Sequence, residues 1–139
     1  MQIEYLKPDY NKLISFFKDV NLEINQSLES YTSKVLNNAC FISISENEEI
    51  VGLVIFYCND FTLGFSYITY IAVRSEYRNK GIGNELLEKS CIYCRRIGFN
   101  KMRLEVNKTN LNAFKLYVKQ DFCIIEDRGQ TFIMEKEIV

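Results

Sequence analysis

Residues Tyr67–Gly98 read YITYIAVRSEYRNKGIGNELLEKSCIYCRRIG. The apolar run that ends at Val73 predicts a buried strand, and the segment from Asn84 onward to Gly98 predicts a helix. A basic loop with two glycines, Arg78–Gly83, lies between them. The first N–H groups of a helix have no partner within the helix, and the helix dipole adds partial positive charge there. Because glycine lets the backbone bend and approach a phosphate closely, the segment predicts an anion-binding site.

The composition bounds the class of protein. A length of 139 residues predicts one domain, 1–139, with a substantial core, and 47% hydrophobic against 25% charged residues is typical of a soluble protein. The 17 basic and 18 acidic residues nearly cancel, which argues against a dedicated nucleic-acid binder. We find no apolar run of membrane-spanning length and no signal peptide, so we expect a cytoplasmic protein with no membrane partner, as a monomer or homodimer.

Five cysteines and the absence of histidine restrict the chemistry. Without histidine, a Ser/His/Asp or Cys/His nucleophile is excluded. Cys91 and Cys94 form a CxxC pair, but they lie in the predicted helix without a second pair, whereas zinc needs about four ligands. We therefore expect no metal site, and proton transfers are left to carboxylates, tyrosine, cysteine, lysine or water.

Hydrophobic periodicity predicts the remaining elements. Before Tyr67 we expect two helices, the first with Pro8 in its first turn, and a hairpin whose first strand is half-buried. The predicted ranges are a strand at Gln2–Leu6, helices at Asp9–Val20 and Leu28–Asn38, and strands at Cys40–Ser45 and Ile50–Cys58. After Gly98 we expect a strand at Met102–Val106, a helix capped by Thr109 or Asn110 that runs through Gln120, and a hairpin of Phe122–Glu126 and Thr131–Ile138.

The helix after the glycine loop should bury one face. Its apolar residues are Ile82, Leu86, Leu87, Cys91, Cys94 and Ile97. Arg95 and Arg96 lie in its last turn, and Gly98 is placed to end it. The whole chain then has the order β-α-α-β-β-β-α-β-α-β-β.

Two kinds of phosphate loop do not fit the glycines. A Walker loop needs Gly-Lys-Ser/Thr at its end, but Gly83 is followed by Asn84 and Glu85. In a Rossmann site, Glu105 would suit the ribose-binding carboxylate about 20 residues after the loop. However, the Gly-x-Gly-x-x-Gly fingerprint is absent, because Arg78 stands where its first glycine should be.

A third pattern is more specific. Arg78-x-x-Gly81-x-Gly83 directly after a strand resembles the acetyl-CoA pyrophosphate loop of the GNAT-type N-acetyltransferases. The downstream run resembles the second signature of the family: Leu104-Glu105-Val106-Asn107, then Asn110, Ala113, Leu116-Tyr117 and Phe122. One departure is Asp121, since the family usually has glycine before this phenylalanine, and Asp121 could strain or reshape the turn after Tyr117.

The resemblance implies an α/β (α+β) GNAT-like fold. Its central sheet of about six to seven strands is mixed and mostly antiparallel, about four helices flank it, and the strands at Tyr67–Val73 and Met102–Val106 form a splayed parallel pair. It also implies binding of acetyl-CoA without a metal. The residues that it assigns to the cofactor are Ile71, Ala72 and Val73 for the pantetheine arm, the backbone of Asn79, Lys80, Gly81, Ile82, Gly83 and Asn84 with the charge of Arg78 for the pyrophosphate, and Asn110.

The same resemblance implies the catalytic groups. Tyr117 occupies the position at which family tyrosines protonate the thiolate of coenzyme A, and it also contacts the cofactor; the alternative is a tyrosine that only packs. Glu105 is the candidate base, because the Glu105…Tyr117 spacing is similar to that of ribosomal-protein alanine N-acetyltransferases. Alternatively, Glu105 holds a water or a hydrogen bond. Asn110 either contacts the cofactor or only caps its helix.

The implied activity is direct transfer of an acetyl group from acetyl-CoA to a primary amine in a ternary complex. The acceptor is either a protein N-terminus or lysine, or a small amine such as an amino sugar, polyamine or amino acid. Tyr31, Tyr67 and Tyr70 could line its site or belong to the core. A different class remains open, in which the chain is a non-catalytic regulatory or partner protein that binds acyl-CoA.

Overall fold

The structure is a computed structural model that describes residues 1–139. Its helices are α1 (Tyr10–Asp19), α2 (Leu28–Asn38), α3 (Ile82–Ile97) and α4 (Leu111–Lys119). Its strands are β1 (Gln2–Glu4), β2 (Cys40–Glu46), β3 (Glu49–Tyr57), β4 (Ser66–Val73), β5 (Lys101–Asn107), β6 (Cys123–Asp127) and β7 (Thr131–Glu137). Short 3-10 turns lie at Phe61–Leu63 and Ser75–Tyr77. The predicted order of strands and helices is confirmed.

The seven strands form one sheet in the order β1-β2-β3-β4-β5-β7-β6. Every neighbouring pair is antiparallel except β4 and β5, which confirms the mixed sheet. The parallel pairing is short, since it joins only Ser66–Ile68 to Met102–Leu104. Beyond Ile68 the two strands separate, so the predicted splay is present and opens a gap in the middle of the sheet.

Helices cover the sheet on both faces. The larger core cluster joins α3 and α4 to one face, and it includes Leu86, Leu104 and Tyr117. The smaller cluster joins α1 and α2 to the other face around Phe17 and Leu53. Because side chains alternate along a strand, successive residues of the central strands enter different cores.

Side-chain caps define where three of the helices begin. Asp9 precedes α1 and accepts from the N–H groups of Asn11 and Lys12, Ser27 accepts from the N–H of Ser30, and Asn110 accepts from the N–H of Ala113. These bonds satisfy N–H groups that the helix leaves without partners. Pro8 therefore lies before the cap of α1, and its predicted place in the first helical turn is wrong.

Three other expectations need correction. Strand β2 is buried on both faces rather than half-buried, because the α1–α2 layer covers Phe41 and the opposite layer covers Ile42. Helix α3 begins at Ile82, not at Asn84. At its other end Ile97 is exposed, and Ser90 is buried instead, with its hydroxyl donating to the carbonyl of Leu87 at 2.8 Å.

None of the helices combines the length and the apolar character that crossing a bilayer requires.

Candidate active site

A cleft of about 510 Å³ lies where β4 separates from β5, on the face covered by α3 and α4. Its walls are the end of β4, the glycine loop, the first turn of α3 and one side of α4. Of the residues predicted to hold the cofactor, all but Lys80 line it: Ile71, Ala72, Val73, Arg78, Asn79, Gly81, Ile82, Gly83, Asn84, Asn110 and Tyr117. The structure thus brings together residues from both sequence signatures.

The glycine loop contains two left-handed residues. Asn79 has φ = 64° and Gly81 has φ = 81°. A Cβ on Gly81 would meet nothing within 4 Å, so glycine is favoured there by its backbone conformation and not by lack of space. Left-handed residues in a tight loop turn successive N–H groups to one side, which is the arrangement that binds anions.

The electrostatics of the cleft also favour an anion. Helix α3 starts in the cleft after Gly81 and, unlike the other three helices, has no side-chain cap. Its first N–H groups are therefore not used by a capping side chain. No carboxylate lines the cleft, and Arg78 is its one charged residue.

Arg78 and Lys80 have different surroundings. The guanidinium Nε of Arg78 donates to the carbonyl of Val73 at 3.2 Å, which holds the side chain against the end of β4. Lys80 Nζ lies 5.3 Å from the ring centroid of Tyr77, and Lys80 does not line the cleft. The positive charge inside the cleft thus comes from Arg78 and the helix terminus.

The last part of β4 offers backbone to the cleft. Its edge toward β5 has no strand partner after Ile68. A register shift against β3 leaves Thr69 as a bulge residue, because Ile55 pairs with Tyr70 while Phe56 pairs with Ile68. An extended chain can bind such an open edge by main-chain hydrogen bonds.

Tyr117 lies on α4. Its side chain belongs to the larger core cluster and also lines the cleft. It is 6% exposed, and burial raises the pKa of its phenol to about 12. Burial acts in this direction because it disfavours the charged phenolate. Tyr117 therefore remains a protonated donor at neutral and moderately alkaline pH.

Glu105 projects from the opposite face of β5 and does not line the cleft. Its carboxylate accepts from Thr131 Oγ1 at 2.5 Å, and Arg128 Nη1 lies 4.0 Å from the same oxygen, Oε2. Tyr67 is also close, since its pKa is raised by burial and by the charge of Glu105 and lowered by Arg128. Glu105 and Tyr117 thus approach the gap between β4 and β5 from opposite faces.

Comparisons with known proteins agree with this geometry. Residues 7–122 match the model of the acetyltransferase (GNAT) family. The chain belongs to this family. Streptothricin acetyltransferase A of Bacillus subtilis is 36% identical over 61 residues, which are 44% of this chain and 35% of that protein. The chain thus covers only about a third of this curated relative.

Two solved structures illustrate the shared fold. The PaiA N-acetyltransferase of Thermoplasma acidophilum, solved in complex with coenzyme A, has a TM-score of 0.80 at 22% identity over 99% of both chains. The ribosomal-protein-S18-alanine N-acetyltransferase of Escherichia coli has a TM-score of 0.81 at 20% identity, over 99% of this chain and 93% of that one.

The departure of this GNAT chain at Asp121 leaves the turn after α4 intact. Asp121 is left-handed, with φ = 70°. Its N–H donates to the carbonyl of Val118 and the N–H of Phe122 donates to that of Tyr117, both at 3.0 Å, which is the Schellman pattern. The rings of Phe122 and Tyr117 have centroids 6.0 Å apart, so the turn braces the candidate acid.

Asn110 and Asn84 have structural partners in this GNAT site as well. Asn110 Oδ1 accepts from the N–H of Ala113 at 3.2 Å, so the helix cap is present, and its contact with a cofactor stays a prediction. Asn84 Oδ1 accepts from Gln120 Nε2 at 3.1 Å, which joins the start of α3 to the end of α4.

Two supporting residues did not emerge from the sequence. Gly52 on β3 lies under α3, where an added Cβ would be 2.7 Å from Ile82 Cγ2. A glycine inside a strand pattern was a signal for such a close approach. Arg74, 6% exposed, donates through Nε to the carbonyl of Ile50 at 2.6 Å and pairs with Asp19, for which the sequence offered no signal.

The tyrosines named for the acceptor side lie on the face of Glu105. Tyr70 and Tyr31 both stack edge-on against Phe17, so they belong in part to the smaller core. Tyr31 also lines a second cavity of about 480 Å³ together with Tyr57 and Thr69. The cleft and this second cavity are on opposite faces of the splayed sheet.

Proposed function

We propose that the chain transfers an acetyl group from acetyl-CoA to a primary amine. The observation that carries the proposal is the cleft at the splayed strands, in which the uncapped α3 terminus, the left-handed loop and Arg78 face the free edge of β4. The helix terminus, the loop and Arg78 suit a pyrophosphate, and the free edge of β4 suits an extended amide chain. The family match and the fold shared with a coenzyme A complex support the choice of ligand.

The residues of the chain divide the chemistry between two faces. Acetyl-CoA supplies an activated acetyl thioester, which would lie at the gap between β4 and β5. A main-chain N–H at the gap would polarise the carbonyl. Tyr117 would donate its proton to the departing sulfur from the cleft side, and Glu105, or a water that it orients, would take a proton from the attacking amine on the other side.

The absence of histidine fits direct transfer rather than an acyl-enzyme. The hydrogen bond with Cys58 and, second, burial raise the pKa of Cys40, and burial raises that of Cys91, so neither thiol is activated. We propose that none of the cysteines acts as a nucleophile.

The acceptor would enter on the Glu105 face. The second cavity on that face offers hydroxyl groups, amide groups and aromatic surface, together with one cationic side chain. Its lining residues are Tyr31, Lys34, Val35, Asn38, Tyr57, Asn59 and Thr69. A small amine or the amino terminus of a peptide would fit this proposal. An amino sugar, a polyamine, an amino acid and a lysine side chain are the classes to compare.

Calorimetry with acetyl-CoA tests the donor half of the proposal. We expect wild-type protein to bind and Gly81→Ala to bind at least about tenfold more weakly, because a Cβ strains the left-handed residue that forms the loop. Gly129→Ala is the matched control, since Gly129 is also left-handed (φ = 89°) but lies outside the cleft. No binding by wild type at millimolar acetyl-CoA would overturn the proposal. Binding without transfer to any amine would instead indicate a non-catalytic acyl-CoA-binding protein.

A further inference from the structure

The carboxylate of Glu105 is held by one residue of β7. Thr131 Oγ1 donates to Glu105 Oε2 at 2.5 Å, and Arg128 approaches the same oxygen at 4.0 Å. Both contacts therefore use Oε2 and leave Oε1 open. The side chain of Glu105 is 37% exposed, and the hydrogen bond from Thr131 is the one side-chain hydrogen bond that its carboxylate accepts.

The strand register brings Thr131 to this position. On the β5–β7 ladder Glu105 pairs with Ile133 and Asn107 pairs with Thr131. Thr131 is thus a diagonal neighbour of Glu105 on the same face, within reach of a long side chain. Its hydroxyl therefore reaches the carboxylate of Glu105 from the neighbouring strand.

Hydrogen bonds hold the turn between β6 and β7. The N–H of Arg128 donates to the carbonyl of Thr131 at 2.9 Å, which closes the turn. Asp127 Oδ1 accepts from the N–H of Gly129 at 2.9 Å and from Lys108 Nζ at 2.6 Å, which ties the turn to the end of β5. Thr131 therefore follows a turn that is closed by hydrogen bonds and linked to β5.

A general base needs a lone pair directed at the proton that it removes. We propose that Thr131 is the positioning residue for Glu105: its hydroxyl fixes Oε2 so that Oε1 faces the acceptor nitrogen. In the reaction the N–C bond forms while the C–S bond breaks, the nitrogen loses a proton to Oε1, and the sulfur gains one from Tyr117. The proposal rests on the proposed acetyl transfer and names the residue that orients its base.

The test uses Thr131→Val, which keeps the shape and removes the donor, with Thr131→Ser as the matched variant that keeps it. Steady-state rates are measured with acetyl-CoA and whichever of glucosamine, spermidine, lysine or a short free-amine peptide wild type acetylates. We expect Thr131→Val to lower kcat by roughly tenfold with an unchanged KM for acetyl-CoA. The reason is that a small displacement of the Glu105 carboxylate slows the reaction. Thr131→Ser should stay within about twofold of wild type, because it keeps the hydrogen bond.

A double-mutant cycle and a spectroscopic signal separate positioning from a purely structural role. In a Glu105→Gln background, Thr131→Val should cause little further loss, because the two residues act as one unit. The carboxyl ¹³C signal of Glu105, assigned by its disappearance in Glu105→Gln, should shift in Thr131→Val and not in Thr131→Ser. Melting temperatures check folding, which a valine in a strand should preserve.

Wild-type kcat in Thr131→Val, or an equal loss with and without Glu105, overturns the positioning role while leaving acetyl transfer in place. A fully active Glu105→Gln overturns the base role of Glu105, and the positioning role of Thr131 with it, while leaving acetyl transfer in place. No acetylation of any of the four amines by wild type overturns the proposed acetyl transfer itself.

Discussion

Burial keeps the phenol of Tyr117, the proposed acid, in its protonated form. Desolvation raises the pKa of its phenol to about 12, so the proton is held more tightly in the folded protein than in water. With a saturating amine, we expect kcat to show no alkaline decline near pH 10, where an ordinary tyrosine loses its proton. A decline near pH 10 that disappears in Tyr117→Phe would contradict this.

Asp121 stands where the family usually has glycine, and its left-handed backbone lowers the stability of the fold. A non-glycine residue in the left-handed region is disfavoured by about 1 kcal/mol. Asp121→Gly should therefore raise the free energy of unfolding by about this amount and leave kcat unchanged, because the turn already has the required shape. Urea denaturation measures this change in the free energy of unfolding. Asp121→Ala is the control, and it should not stabilise, since alanine keeps the Cβ.

The cysteines differ in exposure. Cys123 is exposed on β6, whereas Cys58, Cys91 and Cys94 are buried and Cys40 is partly covered. We expect one thiol to react rapidly with a disulfide reagent in native protein, and Cys123→Ser to remove that fast phase while retaining acetyl transfer. A second fast thiol in Cys123→Ser would contradict this pattern of exposure. Loss of transfer in Cys123→Ser would contradict the proposal that no cysteine is catalytic.

At the scale of elements, the site depends on close packing between β3 and α3. A Cβ on Gly52 would lie 2.7 Å from Ile82 Cγ2 and 3.1 Å from Leu86 Cδ1, both buried. Gly52→Ala should lower the free energy of unfolding by about 1–3 kcal/mol, as overpacking does. It should also weaken acetyl-CoA binding, because Ile82 begins the helix at the loop.

Gly83→Ala is the comparison for this packing. Its Cβ would lie 3.2 Å from Leu116 Cδ2, the end of a flexible side chain that is not fully buried. The loss of stability in chemical denaturation should therefore be smaller than for Gly52→Ala. The reverse order would show that the contact between β3 and α3 does not support the helix.

Local patterns predicted most of these elements because their chemistry is local. The glycine loop, the cap by Asn110 and the alternation in β5 are each visible within a few residues. Burial of β2 on both faces, the support from Arg74 and the hydrogen bond from Thr131 to Glu105 join residues far apart in the chain. Such contacts follow from the register of the sheet, which a single sequence does not display.

The whole molecule is organised around the gap between β4 and β5. One face carries the cleft with Arg78, the start of α3 and Tyr117, and the other carries Glu105 with Thr131. Two substrates could therefore meet through the sheet without sharing an entrance. If donor and acceptor occupy these two faces as we propose, the motifs point to the donor alone, since the proposed acceptor face is built from segments far apart in the chain.

Amine-dependent formation of free coenzyme A from acetyl-CoA tests the proposed acetyl transfer. Chromatographic detection avoids interference from the exposed Cys123 thiol. With glucosamine, spermidine, lysine and a free-amine peptide, we predict formation by wild type with at least one amine and a kcat about 100-fold lower in Tyr117→Phe, as loss of a general acid causes. If wild type forms no amine-dependent coenzyme A, the proposed acetyl transfer is wrong. An equal kcat in Tyr117→Phe would contradict the proposed role of Tyr117 as the general acid.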